Sequence, residues 1–382
     1  MAASQNSLTS SRISISFFFF SYGFIFATWA SRIPAIQQQL HLSDPQLGTV
    51  LLSMPVGSFL ALPFSGYLAS RHGSRIVVIG AALCYALLLI TIGNSAGRWM
   101  LAVCLFLFGA ASNMLNIAIN TQVIELEKRM GRVIISSFHG IWSVAGLLAA
   151  AAGSVFIARS VSVSRHFLEI GVPSFLLSLI ASTFLVRDMP RARERRSVFT
   201  IPEKSMMGLG LIAFSSLICQ GAMFDWSGVY FRKVIQADKD HIGLGYTTFM
   251  ISMTAVRFIT DWLHHKLGFK KLLVICGILA TSGLVLVCAL PHLWTATLGL
   301  FLVGLGVSPA VPLVFSAAGK SKTMPPAVAI AAVSSIGMIG LMIGPPLIGF
   351  VAGLTSLRIS FLILSFFGAA IAIFSLLSAP SD

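Results

Sequence analysis

Apolar stretches of about 20 residues or more recur along the whole chain, separated by short polar connectors. A helix needs about 20 such residues to cross the hydrocarbon of a bilayer. The pattern predicts twelve spans, at 12–36, 46–70, 75–95, 98–124, 133–158, 167–186, 206–234, 243–264, 270–290, 293–317, 324–352 and 357–378. They use nearly all of the 382 residues and leave no room for a soluble domain. The expected fold is all-α: a polytopic membrane protein with twelve transmembrane helices.

Composition agrees. Mean hydropathy is +0.90. Hydrophobic residues make up 56% and charged ones 10%, against roughly a quarter charged in soluble domains. The net charge of +14 raises nucleic acid as a partner, but the placement of the cations argues for a membrane instead. With the N-terminus inside, 17 of the 26 Lys and Arg residues fall on the cytoplasmic side and 8 on the other, and Arg257 lies within a span. That excess is the positive-inside pattern. Both termini are expected in the cytoplasm of a multi-pass inner (plasma) membrane protein, with basic connectors against anionic headgroups. The five cysteines, Cys84, Cys104, Cys219, Cys276 and Cys288, all fall in spans and form no CxxC pair, so neither disulfides nor a metal site is expected. The apolar N-terminal run reads as an uncleaved first helix, not a signal peptide.

The longest charged connector, "RDMPRARERRSVFTIPEKS" at 187–205, divides the spans six and six. The expected organisation is an N-terminal six-helix bundle over 1–186, a cytoplasmic linker over 187–205 and a C-terminal bundle over 206–382. Features on the two sides keep a nearly constant offset. "TWAS" at 28–31 answers "DWSG" at 225–228, which sets Trp29 against Trp226, 197 positions on. Gly73 answers Gly268 and Gly109 answers Gly304, each 195 positions on. Many secondary transporters are built from such a parallel repeat, with solute held near the midplane.

The connector between the second and third spans reads Gly66-Tyr67-Leu68-Ala69-Ser70-Arg71-His72-Gly73-Ser74-Arg75. It resembles the G-x-L-x-D-R-x-G-R-R signature of the major facilitator superfamily. "NIAINTQVIELEKRMGRVIISSFHGIWSVAG" at 116–146 and "GPPLIGFVAGLTSLR" at 344–358 resemble its fucose-permease-like branch of bacterial inner-membrane proteins. The resemblance covers almost the whole chain. It implies two pseudo-symmetric six-helix bundles and proton symport of a solute. In that family the acid of the signature latches helix ends together; here Ser70 stands in its place. The second copy keeps Asp261 but puts Arg257 where the leading glycine would be. Four residues apart, Arg257 and Asp261 share a helix face on which they can pair. Gly66, Arg71, Gly73, Arg75, Arg257 and Asp261 are thus the expected conformational latch. The two glycines are expected to allow close backbone approach and a tight turn, and Arg71 and Arg75 to face headgroups.

Polar residues inside the spans supply the candidate site. Asn113, Asn116 and Asn120 form a stripe on span 4. Amides in hydrocarbon face protein or a water-filled cavity, so the stripe reads either as interhelical hydrogen bonding or as a cavity wall that touches solute. Ser136, His139 and Ser143 share a face of span 5. His139 reads either as a proton or solute contact or as a neutral imidazole bonded to a neighbouring helix. Gln220 adds an amide in span 7, and Trp29 and Trp226 add flat apolar faces. Asp225, in "FDWSGVY" at 224–230, reads as a cap where the helix breaks, as a gate contact, or as a carboxylate protonated during transport. Pro55, Pro63, Pro309, Pro312, Pro345 and Pro346 interrupt helical hydrogen bonding,, as bending points or as packing kinks.

No P-loop, HExxH or G-x-S-x-G at a strand-to-helix turn is present, so neither an enzyme nor a cofactor is expected. The expected function is a secondary active transporter that moves a small polar, sugar-like solute by alternating access. Proton coupling is what the resemblance implies. One departure bears on it: fucose permease carries a carboxylate in its first helix, whereas span 1 here has Thr28 beside Trp29. The alternatives are a drug or metabolite exporter of the same fold and a non-transporting membrane receptor. The expected partners are the solute, protons and membrane lipids, and the chain is expected to be a monomer.

Overall fold

The computed structural model describes residues 5–131, 134–186, 204–321, 324 and 326–378. They form thirteen α-helices: α1 (Gln5–Gln39), α2 (Asp44–His72), α3 (Ser74–Gly93), α4 (Arg98–Met130), α5 (Ile135–Ala158), α6 (Val163–Ser182), α7 (Lys204–Lys233), α8 (Leu244–Leu267), α9 (Phe269–Ala289), α10 (Leu293–Val307), α11 (Ala310–Gly319), α12 (Pro326–Leu354) and α13 (Leu357–Ser378). Among the described residues, 11 segments are long and apolar enough to cross a membrane, with α10 and α11 counted together as Leu293–Gly319. The remaining expected span is α8. Its 24 residues rise about 36 Å, but Arg257, Asp261, His264, His265 and Lys266 make it more polar.

Proline position decides where a helix stops. Pro34, Pro55, Pro63, Pro173, Pro345 and Pro346 lie inside continuous helices. Pro309 does not: α10 ends at Val307 and Pro309 caps α11.

The chain divides into two compact units, one of residues 1–40 and 53–196 and the other of 41–52 and 197–382. The linker expected at 187–205 lies outside the described residues except for 204 and 205. In the first unit α1 packs on α5, and α3 lies against both α4 and α6. Phe18, Trp29, Tyr85, Phe108, Phe138 and Phe167 fill its core. In the second, α7 packs on α12, and α9 lies against both α10 and α13, around Trp226, Tyr230, Phe249 and Phe361. Each unit therefore repeats one neighbour scheme. Residues 41–52, which include the first turns of α2, group with the second unit, where Lys233 and Asp44 form an ion pair at 2.5 Å.

The 195-residue offset has a structural cause at helix crossings. A side chain on Gly57 would collide with the carbonyl of Phe106, and one on Gly109 with that of Met54, so α2 and α4 meet backbone to backbone. In the second unit Gly304 of α10 receives Ser252 of α8, and a Cβ there would lie 2.8 Å from the Phe249 carbonyl. Gly57 and Ser252 are the same 195 positions apart.

Gly73 (φ +84°) and Gly268 (φ +77°) join α2 to α3 and α8 to α9 in a conformation that side chains with a Cβ disfavour,. Gly66 is different. A Cβ there would meet nothing within 4 Å, which corrects the expectation of a close approach. At the α4–α5 turn one Glu127 carboxylate oxygen accepts from the amides of Ile134 (2.7 Å) and Ile135 (2.9 Å) and so satisfies the start of α5,.

Candidate functional site

Three half-buried aromatic rings converge in the first unit. Tyr22 and Phe26 lie one turn apart on α1, with ring centroids 6.1 and 6.3 Å from that of Trp142 on α5. Behind them Tyr85 of α3 stands 5.8 Å from Tyr22. Ser112 of α4 donates to the Tyr22 hydroxyl at 3.2 Å and so brings α4 to the same place.

The asparagine stripe divides here. Asn116 and Asn120 follow Ser112 at successive i+4 steps, on its face of α4, and both are half-buried,. Asn120 donates to the Asn116 carbonyl at 2.8 Å and to its side-chain oxygen at 3.0 Å. Asn113 turns away; it is buried and accepts from Ser65 of α2 at 2.9 Å. His139 is exposed, edge-on to Phe19 at 5.4 Å. Ser143 donates to the His139 backbone carbonyl at 3.1 Å. The Ser136 side chain lies outside the described residues.

Several sequence candidates have other surroundings than expected. Trp29 (1% exposed) and Trp226 (0%) are core residues of their own units and present no open apolar face. Gln220 is buried and donates to Ser216 at 3.0 Å and to the Val307 carbonyl at 3.1 Å, which ties α7 to α10. Asp225 sits half-buried in a helix that runs unbroken from Lys204 to Lys233. The cap at a helix break is thereby ruled out, because there is no break to cap. Asp225 lies within electrostatic reach of the Tyr246 hydroxyl on α8, which has no hydrogen-bond partner.

The signature residues mostly hold their own unit together. Arg71 lies over the Tyr67 ring at 5.7 Å and hydrogen-bonds its hydroxyl. Arg75 donates to the Ser182 carbonyl at 3.1 Å and so binds α3 to the end of α6. Arg257 donates to Ser308 at 3.1 Å, and Asp261 is exposed. Among the described residues no three His, Cys, Asp or Glu side chains are grouped to hold a metal ion.

Tyr22, Phe26 and Trp142 were not singled out from sequence. Tyr22 and Phe26 belong to a run of aromatics, "FFFFSYGFIF" at 17–26, in which core, lipid-facing and cleft-facing rings look alike. Only the rotation of α1 against α5 separates them. Together the cluster offers flat apolar surface beside a hydroxyl and carboxamides, with no charged group among the residues named.

Comparison with known proteins gives a consistent picture. The family profile of the Major Facilitator Superfamily matches residues 13–321 and 206–382. An uncharacterized MFS-type transporter of Yersinia pestis is 32% identical over 354 residues, 92% of this chain and 91% of that one. An uncharacterized transporter of Sinorhizobium fredii, y4wD, is 31% identical over 355 residues, 92% and 93% of the two chains. Among solved structures, a variant of the nucleoside transporter NupG superposes with a TM-score of 0.80 at 14% identity, over 96% of this chain and 99% of that one. At that identity the likeness is one of fold.

Proposed function

We propose that this chain, which belongs to the Major Facilitator Superfamily, moves a small, uncharged, sugar-like solute across the membrane by alternating access, driven by protons. That it is a multi-pass membrane transporter follows from the family and from its relatives. The observation that carries the substrate class is the cluster of Tyr22, Phe26 and Trp142 beside Ser112, with Asn116 one turn further along α4. Aromatic faces cover the C–H surface of a sugar ring, while hydroxyl and carboxamide groups exchange hydrogen bonds with its hydroxyls. The resemblance of 116–146 to the fucose-permease-like branch points the same way. With no nucleotide-binding motif, an ion gradient is the energy source, and Asp225 and His139 are the candidates to carry a proton. The cell inner membrane, cytoplasmic termini and a monomeric state complete the reading. Arg71, Gly73, Arg75 and Asp261 would then bias the balance of inward- and outward-open states.

The test is a thermal-shift screen of the purified protein against monosaccharides, polyols, amino acids and lipophilic drugs, followed by uptake of each hit into proteoliposomes. A neutral polyhydroxy compound is expected to raise Tm and to accumulate. Trp142→Ala and Asn116→Leu are each expected to weaken its binding about tenfold, or about 1.4 kcal/mol. Stabilisation by lipophilic drugs alone overturns the substrate class and favours an exporter. Binding without uptake marks a receptor.

A further inference from the structure

At the end of the first unit where α5 turns into α6, two polar side chains are buried with hydrogen-bonding atoms left over. Arg32 of α1 is 3% exposed and donates through Nη2 to the Val161 carbonyl, but its Nε has no partner. His166 of α6 is 0% exposed and stacks on Phe156 at 3.9 Å. It lies within electrostatic reach of Arg32, and neither of its ring nitrogens has a partner.

Arginine keeps its charge even when buried, and a buried charge without a counter-charge is costly. Among the described residues no ion pair is seen to Arg32, and Asp44 at the start of α2 pairs with Lys233. The helices α1, α3 and α5 contain no acid. Glu169, the acid of α6, pairs with exposed Arg165 at 2.7 Å. Glu125 and Glu127 lie near the other end of the unit, at the α4–α5 turn. Buried donors left over in this way signal a bound water or ion. A water would satisfy the donors but not the charge.

We propose that Arg32 and His166 form a binding site for a small monovalent anion of the chloride type, held between Arg32 Nε–H and the imidazole N–H. In either neutral tautomer, histidine offers one such donor. Burial selects the size and charge of the ligand, because the cost of desolvation rises steeply with charge and excludes phosphate and sulfate. Arg159, Ser160 and Ser162 are exposed on the connector above the pair, and Arg159 adds a positive potential that draws anions toward it. The bound ion adds a tie between α1 and α6 to the one that Arg32 already makes to the connector.

The test compares melting of the purified protein in sodium chloride, sodium gluconate and sodium sulfate at equal ionic strength and constant pH. Tm is expected to rise with chloride along the logarithmic curve of a specific ligand, above a flat gluconate baseline, whereas sulfate gives only the near-linear rise of an excluded salt. Arg32→Gln is expected to melt at the same temperature in chloride and gluconate and to keep only the general rise in sulfate. His166→Phe keeps a ring against Phe156 but removes the donor, and is expected to raise the half-maximal chloride concentration about tenfold. Identical melting of the wild-type protein in chloride and gluconate overturns the proposal and assigns the space to water. An unshifted chloride midpoint in His166→Phe removes His166 from the site, and this holds even where Arg32→Gln fails to fold.

Discussion

Asp225 shows how much a residue's role depends on the backbone around it. An aspartate followed by Trp-Ser-Gly fits a helix start, but α7 passes through all four residues without interruption. The gate contact and the protonated carboxylate remain, for a residue within a candidate transmembrane segment and near a tyrosine hydroxyl, a setting in which ionisable groups serve ion pathways,. Asp225→Asn is therefore expected to abolish uphill accumulation of solute under a proton gradient while solute exchange persists. Retained accumulation in that variant would remove Asp225 from coupling and leave His139 as the next candidate. The same dependence on context explains which candidates were legible in the sequence. The amides of Asn116 and Asn120 stood out because polar groups are rare in spans. Trp29 and Trp226 stood out as flat apolar faces at matching positions of the repeat, yet they are core residues. A tryptophan's direction is set by how its helix is rotated against its neighbours, and no residue type encodes that rotation.

Among the helices, length was legible because bilayer thickness dictates it, whereas the twelve expected spans appear as thirteen helices, of which eleven segments are long and apolar enough to cross a membrane. Prolines were harder to interpret. Pro345 and Pro346 sit inside α12, while Pro309 separates two helices, so proline alone does not mark a break. The glycines behave in the same divided way, and this yields a paired prediction. Gly109→Ala forces the Met54 carbonyl of α2 to move and is expected to destabilise the protein by about 1–3 kcal/mol. Gly66→Ala adds a methyl group in open space and is expected to be neutral, or to stabilise the helix by up to about 1 kcal/mol. Melting temperatures of the two variants in one detergent check the contrast. Equal losses would mean that the crossing of α2 and α4 is not as tight as described.

For the molecule as a whole, the asymmetry of Lys and Arg predicts an orientation. Ser197, in the connector outside the described residues, is expected on the cytoplasmic face. Ser197→Cys in intact cells should react with an impermeant thiol reagent no more than the parent protein does, and labelling from outside would invert the topology. The internal repeat was legible because two copies of one neighbour scheme need small residues at matching crossings. The Arg32–Val161 tie was not legible, since its partners lie 129 residues apart. The Glu127 cap is its opposite, spanning only 7 and 8 residues to Ile134 and Ile135. Closing so short a loop is cheap, and Glu127 is synthesised before the amides it holds. The first turn of α5 is thus anchored as it leaves the ribosome, whereas Arg32 waits for another 129 residues. Biosynthesis would then complete the α4–α5 end of this unit first and the α5–α6 end later.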